Sequence, residues 1–310
     1  VWLIERPQKP LAVLQLILPS ANTYREPVGK AGLAGFTSAM LRQGTKTRTA
    51  GEISKIIDNT GGSIQAFAND EGTTVTAQVM AKDLALAVEL VGDIVLNPSF
   101  PEQEIETLRQ QFLGSIYRQR DNASAFVNEQ ATAFHFGPEH PLGRPADIAS
   151  IKAIAAADLV SFARDYYRPQ DAILVAAGDI NPKDLLPLVE KHFSHWLGHD
   201  NQSGNEQQDV DIYYPQTQDN PRLLFIEKPG QTQVQVRMVQ KGPTRTTPDR
   251  IAVDLYNYIL GGGSFSSRLM QVIRSEMGET YSITTGYRSR ERDGMFMLST
   301  FTGNEKLHRT

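Results

Sequence analysis

Gly32-Leu33-Ala34-Gly35-Phe36-Thr37-Ser38-Ala39-Met40-Leu41-Arg42-Gln43-Gly44-Thr45 is the stretch from which the rest of this chain is read. Leu33, Phe36, Met40 and Leu41 recur at helical spacing, so a helix is expected within Gly29–Arg42 with these four side chains on its apolar face. Residues three and four apart share a face of a helix, and a second face reads Gly35, Ser38, Ala39 and Arg42. Its first three residues bind a divalent cation poorly, and Arg42 brings positive charge to the same side.

Outward from this helix, apolar, β-favouring runs at Val1–Glu5 and Leu11–Leu18 predict strands before it. After it, Thr49 is placed to N-cap a helix over Ala50–Asn59. Ser63–Asn69 and Thr73–Met80 alternate like a hairpin around Asp70-Glu71-Gly72. Helical patterns follow over Asp83–Leu96, Pro101–Arg120, Ala123–Phe134, Ala157–Tyr166 and Pro182–Trp196, with a buried strand at Ala172–Ala177. Gly137-Pro138 interrupts the third of these helices.

The pattern then restarts. Ile226-Glu227-Lys228-Pro229 echoes Ile4-Glu5-Arg6-Pro7 at an offset of 222 residues, followed by a strand at Thr232–Val239 and an apolar helix at Ile251–Leu260. Strands and helices in runs, without strict βαβ alternation, indicate an α+β fold of duplicated domains, each a mainly antiparallel sheet covered by helices, the second incomplete. The expected division is a first domain over 1–197, a polar linker rich in Asp, Asn, Gln and Gly over 198–221, and a partial second domain over 222–310.

Composition sets bounds on function. The 310 residues carry a net charge of -4, with acid and base interspersed, so no nucleic-acid footprint is expected. No apolar run is long enough to span a bilayer. With no cysteines, disulfide and thiolate chemistry are excluded and compartment cannot be read from redox logic. The start at Val1, already inside a strand-like run, reads as trimmed.

The segment 32–45 resembles the zinc-site helix of the pitrilysin/insulinase-like metallopeptidases, the inverzincins, which carry H-x-x-E-H in a context like G-L-A-H-F-x-E-H-x-x-F-x-G-T. The flanks match; the chemistry does not. Gly35 and Ala39 stand at the two histidine positions, and Ser38 at the glutamate that would take a proton from activated water. The family's third ligand, a glutamate on a later helix, aligns with Ser115. Further landmarks follow in family order: Thr47-Arg48-Thr49, Gly61-Gly62, His140-Pro141-Leu142-Gly143, Tyr167-Arg168-Pro169 and Ala177-Gly178-Asp179. In the second copy, Gly261-Gly262-Gly263-Ser264-Phe265 leads to Arg274 and, seven residues on, Tyr281, which look like the family's arginine–tyrosine pair. The resemblance implies that this pair binds the substrate backbone and helps stabilise the oxyanion, with the glycine run touching substrate.

The residues also admit plainer readings. Arg274 is a cation near a helix C-terminus, and Tyr281 can be an inward residue in register with Ile283 and Thr285. The glycine run lacks the Gly-Lys-Ser/Thr of a phosphate loop and reads as a mobile helix-entry loop. His135 and Glu139-His140 are spaced one residue too far apart for a zinc motif. His192, His195 and His199 share a helix face without a carboxylate in reach and read as a solvated helix end.

The resemblance implies a non-catalytic subunit of a two-chain peptidase. It would hold no metal or other cofactor itself, would contribute Arg274 and Tyr281 in trans to a homologous zinc-bearing partner, and would act on peptide substrates. A homodimer is open to the isolated chain. The competing expectation is a peptidase-derived assembly protein similar to respiratory-chain core proteins, and an active enzyme with unusual ligands stands third. A bacterial periplasmic location, or alternatively a mitochondrial one, follows from the resemblance alone.

Overall fold

The computed structural model describes residues 1–197 and 222–310. The linker expected over 198–221, and His199 within it, lie outside the described residues. Two compact units divide the chain: one holds Val1–Ile116 and Ala146–Asp211, the other Tyr117–Pro145 and Ile212–Thr310.

In the first unit, β1 (Trp2–Glu5) and β2 (Leu11–Leu18) precede α1 (Leu33–Met40) and α2 (Ala50–Thr60). The hairpin β3 (Ser63–Ala68) and β4 (Thr73–Met80) leads into α3 (Leu84–Leu96) and α4 (Glu102–Asp121), within which the unit boundary falls. The chain runs through α5 (Ala123–Phe136), then α6 (Ile148–Ala153), α7 (Ala156–Tyr166), β5 (Ile173–Gly178) and α8 (Pro182–Leu197). The five strands form one sheet in the order β1-β5-β2-β4-β3, antiparallel except for the parallel pair β1 and β5. Strict alternation along β2 buries Ala12, Leu14, Leu16 and Leu18, in register with Val75, Ala77 and Val79 of β4. This face packs with Leu33, Phe36, Met40 and Leu41 and with the apolar side of α3 in one core.

Local chemistry fixes the ends of these elements. Thr49 and Glu52 form a reciprocal capping box on α2, a motif whose Thr→Ala loss costs about 1 kcal/mol. The Asn69 side chain accepts from the backbone N–H of Glu71 and Gly72 and closes the β3–β4 hairpin. The loop between α1 and α2 is tied to α3 by buried Asp93, which accepts from Thr45 Oγ1 at 2.9 Å and from Arg48 Nη1 at 2.6 Å.

The second unit repeats part of this plan. β6 (Gln233–Lys241) is followed by α9 (Arg250–Asn257), and with β7 (Ile283–Ser289) and β8 (Gly294–Gly303) it forms an antiparallel sheet ordered β6-β8-β7, the same order as β2-β4-β3. Shifting the first hairpin by the sequence offset of 222 residues lands on β7 and β8, so the duplication is structural as well as textual. The echo at Ile226–Pro229 forms no strand. In the first unit β1 is held by β5, and no counterpart of β5 occurs among the described residues of the second.

The units also depart from the expected 1–197 and 222–310 division. Residues 117–145 belong with the second sheet, because α5 packs on β6, with Arg237 donating to Asn128 Oδ1 at 2.5 Å and to Ser124 Oγ at 2.8 Å. Among the described residues no helix is long and apolar enough to cross a membrane.

Candidate functional site

The first candidate is the face of α1 that carries Gly35, Ser38 and Ala39. The helix starts at Gly32, whose φ of 95° turns the chain into it, and the Glu26 carboxylate accepts from the N–H groups of Gly32 and Ala34 at 2.9 Å each. An acidic cap six and eight residues upstream is invisible to helical spacing. Gly35 faces α4: a Cβ built there would lie 3.9 Å from the Phe112 ring, which itself packs on Phe36 at 5.1 Å between centroids. Ser38 is buried and donates its hydroxyl to the Gly35 carbonyl at 2.9 Å. Ala39 is half-buried, and Ser115 on α4 donates to the Phe112 carbonyl at 2.7 Å. Arg42 reaches from the end of α1 to the Ile64 carbonyl on β3, at 3.0 Å.

Zinc takes thiolate, imidazole or carboxylate ligands. Gly35 and Ala39 offer no donor atom, and Ser38 and Ser115 offer only neutral hydroxyls, each donating to a backbone carbonyl of its own helix. This set does not fit zinc, and Ser38 cannot serve as the base. Among the described residues no group of three or more His, Cys, Asp or Glu is arranged to hold a metal.

The second candidate lies in the other unit. Two π-helical segments, Tyr258–Gly262 and Met270–Glu276, flank a short 3-10 turn at Ser264–Ser266. The glycine run is wound and packed where a mobile entry loop was expected. A Cβ at Gly261 would sit 2.6 Å from Thr285 Oγ1, and one at Gly263 would sit 2.6 Å from the Tyr258 carbonyl. Gly261 and Gly263 are buried, so only Gly262 presents its backbone at the surface.

The structure brings Arg274 and Tyr281 together. The Arg274 Cζ lies 4.8 Å from the Tyr281 ring centroid and 4.5 Å from that of Phe265. Tyr281 does not continue the inward register of β7: Ile283 and Thr285 are buried, whereas Tyr281 is 73% exposed. Among the described residues Arg274 has neither an ion pair nor a side-chain hydrogen bond, so its N–H donors remain available. Phe265, a large apolar side chain straight after three glycines and a serine, is a signal in the sequence for this third member of the group.

The remaining histidines do other work. His140 is fully buried, stacks on Phe136 at 4.4 Å and accepts the Leu142 N–H at Nδ1. Burial holds its imidazole down to about 4, with the Asp293 carboxylate pulling the other way. A groove of about 730 Å³ in this unit, lined by Gln119, Glu129, Arg288 and Met297 among others, was not foreseen. Burial raises the Glu129 carboxyl above the usual range.

Residues 153–310 match the family model described as "Peptidase M16 inactive domain", and residues 4–145 match "Insulinase (Peptidase family M16)". The chain belongs to peptidase family M16. An uncharacterized zinc protease of Mycobacterium leprae is 32% identical over 255 residues, 82% of this chain and 56% of that protein. Subunit 1 of the mitochondrial cytochrome b-c1 complex of Bos taurus is 26% identical over 261 residues, 83% of this chain and 52% of the relative. This chain thus spans just over half the length of these curated M16 relatives. The crystal structure of a peptidase M16 inactive domain from Pseudomonas fluorescens superposes with a TM-score of 0.79 at 24% identity, covering 98% of this chain and 72% of that one. Pitrilysin gives 0.73 at 18% identity, covering 99% of this chain and 33% of its own. These likenesses fix the fold, a mixed α+β M16 architecture.

Proposed function

We propose that this M16 chain is the non-catalytic subunit of a two-chain zinc peptidase and donates Arg274 and Tyr281 in trans to the partner's site. The observation that carries the reading is a contrast. Gly35, Ser38, Ala39 and Ser115 offer nothing to a metal, while Arg274 and Tyr281 stand side by side with no polar partner for the guanidinium among the described residues. Zinc and the base then belong to the partner. This chain supplies two donors, a guanidinium and a phenol, for the peptide backbone and for the oxyanion as it develops. Substrates are peptides, and the partnership is placed in the bacterial periplasm.

The test is to mix the chain with an M16 homologue that retains H-x-x-E-H and follow peptide hydrolysis. Arg274→Ala and Tyr281→Phe should each lower kcat of the pair by about 100-fold, the usual effect of losing an oxyanion donor. Undiminished activity in both variants defeats the in-trans role.

A second reading, a peptidase-derived assembly protein, is favoured by the likeness to the cytochrome b-c1 subunit. It predicts stable association with a partner and no hydrolysis from any mixture.

A further inference from the structure

We propose that Phe265 is a positioning residue for Arg274, an inference that rests on the in-trans reading of Arg274 given above. The backbone around it is built to raise one ring. Ser264 has φ of 55°, in the left-handed region that non-glycine residues rarely adopt. Such conformations persist where surrounding structure over-determines them, and they concentrate at functional sites. Here the turn is pinned from both sides: Ser266 Oγ donates to the Gly263 carbonyl and Ser267 Oγ to the Ser264 carbonyl, each at 2.8 Å. Ser267 and Met270 are buried beneath, while Phe265 stands 68% exposed.

A large aromatic ring in solvent forfeits the burial that would favour it. Its contact with the guanidinium is what it has in return, at 4.5 Å. The flanking π-helical turns are of a kind that recurs at functional sites. Gly278, with φ of 64°, ends the second of them and turns the chain back, so that Tyr281 reaches the same guanidinium. The two rings are then the only groups among the described residues seen to hold the Arg274 head. A cation over an aromatic face is bound without using its N–H donors, which stay free for a carbonyl or an oxyanion. Phe265 therefore narrows the orientations of a long, flexible side chain before substrate arrives, and acts on the reaction only through Arg274.

The experiment uses the chain with its zinc-bearing homologue and the variants Phe265→Leu, Phe265→Trp, Arg274→Ala and the double variant Phe265→Leu/Arg274→Ala. Phe265→Leu should lower kcat about five-fold with KM within about two-fold, and Phe265→Trp should restore it, tryptophan being the strongest cation–π partner. The double variant should match Arg274→Ala, because the two residues act as one unit. Normal kcat for Phe265→Leu beside impaired Arg274→Ala overturns the role of Phe265 and leaves the in-trans reading standing. Normal activity in Arg274→Ala overturns both. A readout on the chain alone completes the test: the Arg274 Nε–H and δ-methylene NMR signals should be ring-shifted and relax toward random-coil values in Phe265→Leu. Unchanged signals overturn the proposal whatever the partner does.

Discussion

Zinc should leave the stability of this chain untouched, and the size of the effect that ought to be missing can be worked out. A ligand that binds only the folded state stabilises it by RT ln(1 + [L]/Kd), about 2.7 kcal/mol at one hundred times Kd. For a unit of this size each kcal/mol moves Tm by roughly 2–4 °C, so an intact site would add about 5–11 °C. Here Gly35 and Ala39 carry no donor, and Ser38 and Ser115 carry only neutral hydroxyls, which are not among the usual zinc ligands. The expected shift is zero within about 1 °C in calorimetry or dye-monitored melting, with zinc or with a chelator. His192 and His195 on α8 are controlled by replacing both with alanine. A positive control installs the ligands as Gly35→His, Ser38→Glu, Ala39→His and Ser115→Glu. Because Ser38 is 1% exposed, a carboxylate there should cost more than about 2 kcal/mol without metal, and zinc should recover part of it. One equivalent of zinc on the unmodified chain by elemental analysis, with a chelator lowering Tm by several degrees after His192 and His195 are gone, refutes the vacant-site argument.

Two further outcomes follow from groups buried away from either candidate. Asp93→Ala removes the acceptor of Arg48, Thr45 and Thr47, and should cost roughly 2–4 kcal/mol by chemical denaturation, discounted from a fully buried pair because Arg48 is partly exposed; a loss under 0.5 kcal/mol, about that of an ordinary surface change, contradicts the assignment. His140, with a folded value near 4 against an ordinary 6.5, is kept neutral by burial, so the unfolded chain binds the extra proton between those values. Stability is therefore full above about pH 6.5 and declines as pH falls toward 4, by up to about 3 kcal/mol, and His140→Gln should flatten that slope.

Much of the fold could be read from local pattern because local physics decides it. The alternation of Leu11–Leu18, the Thr49 N-cap and the Asp70-Glu71-Gly72 turn each act within a few residues, and all three stand where expected, with Glu52 adding the reciprocal half of the cap. The six-residue helix α6 escaped notice because it is too short for a periodic signal; its start depends on Asp147 and Ser150 capping each other. Membership of the units could not be read at all. Nothing in 117–145 announces that Asn128 and Ser124 will meet Arg237 more than a hundred residues away. At the candidate sites Arg274 and Tyr281 stood out only through the family resemblance, spacing alone favouring their plainer readings, and the exposure of Tyr281 and the contact of Arg274 with Phe265 depend on turns, not on periodicity.

The two candidate faces differ in what they ask of the fold, and that difference bears on the proposed in-trans role. On α1 the core residues Leu33, Phe36 and Met40 alternate with Gly35, Ser38 and Ala39, three small residues of which Ser38 is buried and Ala39 packs against the same core. Nothing about that face is strained, and its hydroxyls are satisfied by the nearest carbonyls. The segment from Tyr258 to Tyr281 is the opposite case. It holds two glycines, Gly261 and Gly263, that any side chain would displace, a serine at positive φ, two π-helical turns, and three aromatic rings mostly in solvent. Each of these features destabilises the chain relative to an ordinary helix and strand with the rings buried. A chain maintained only as scaffold would be free to relax them. Their joint presence around one guanidinium with free donors is what the proposed in-trans role would account for and an assembly role would not.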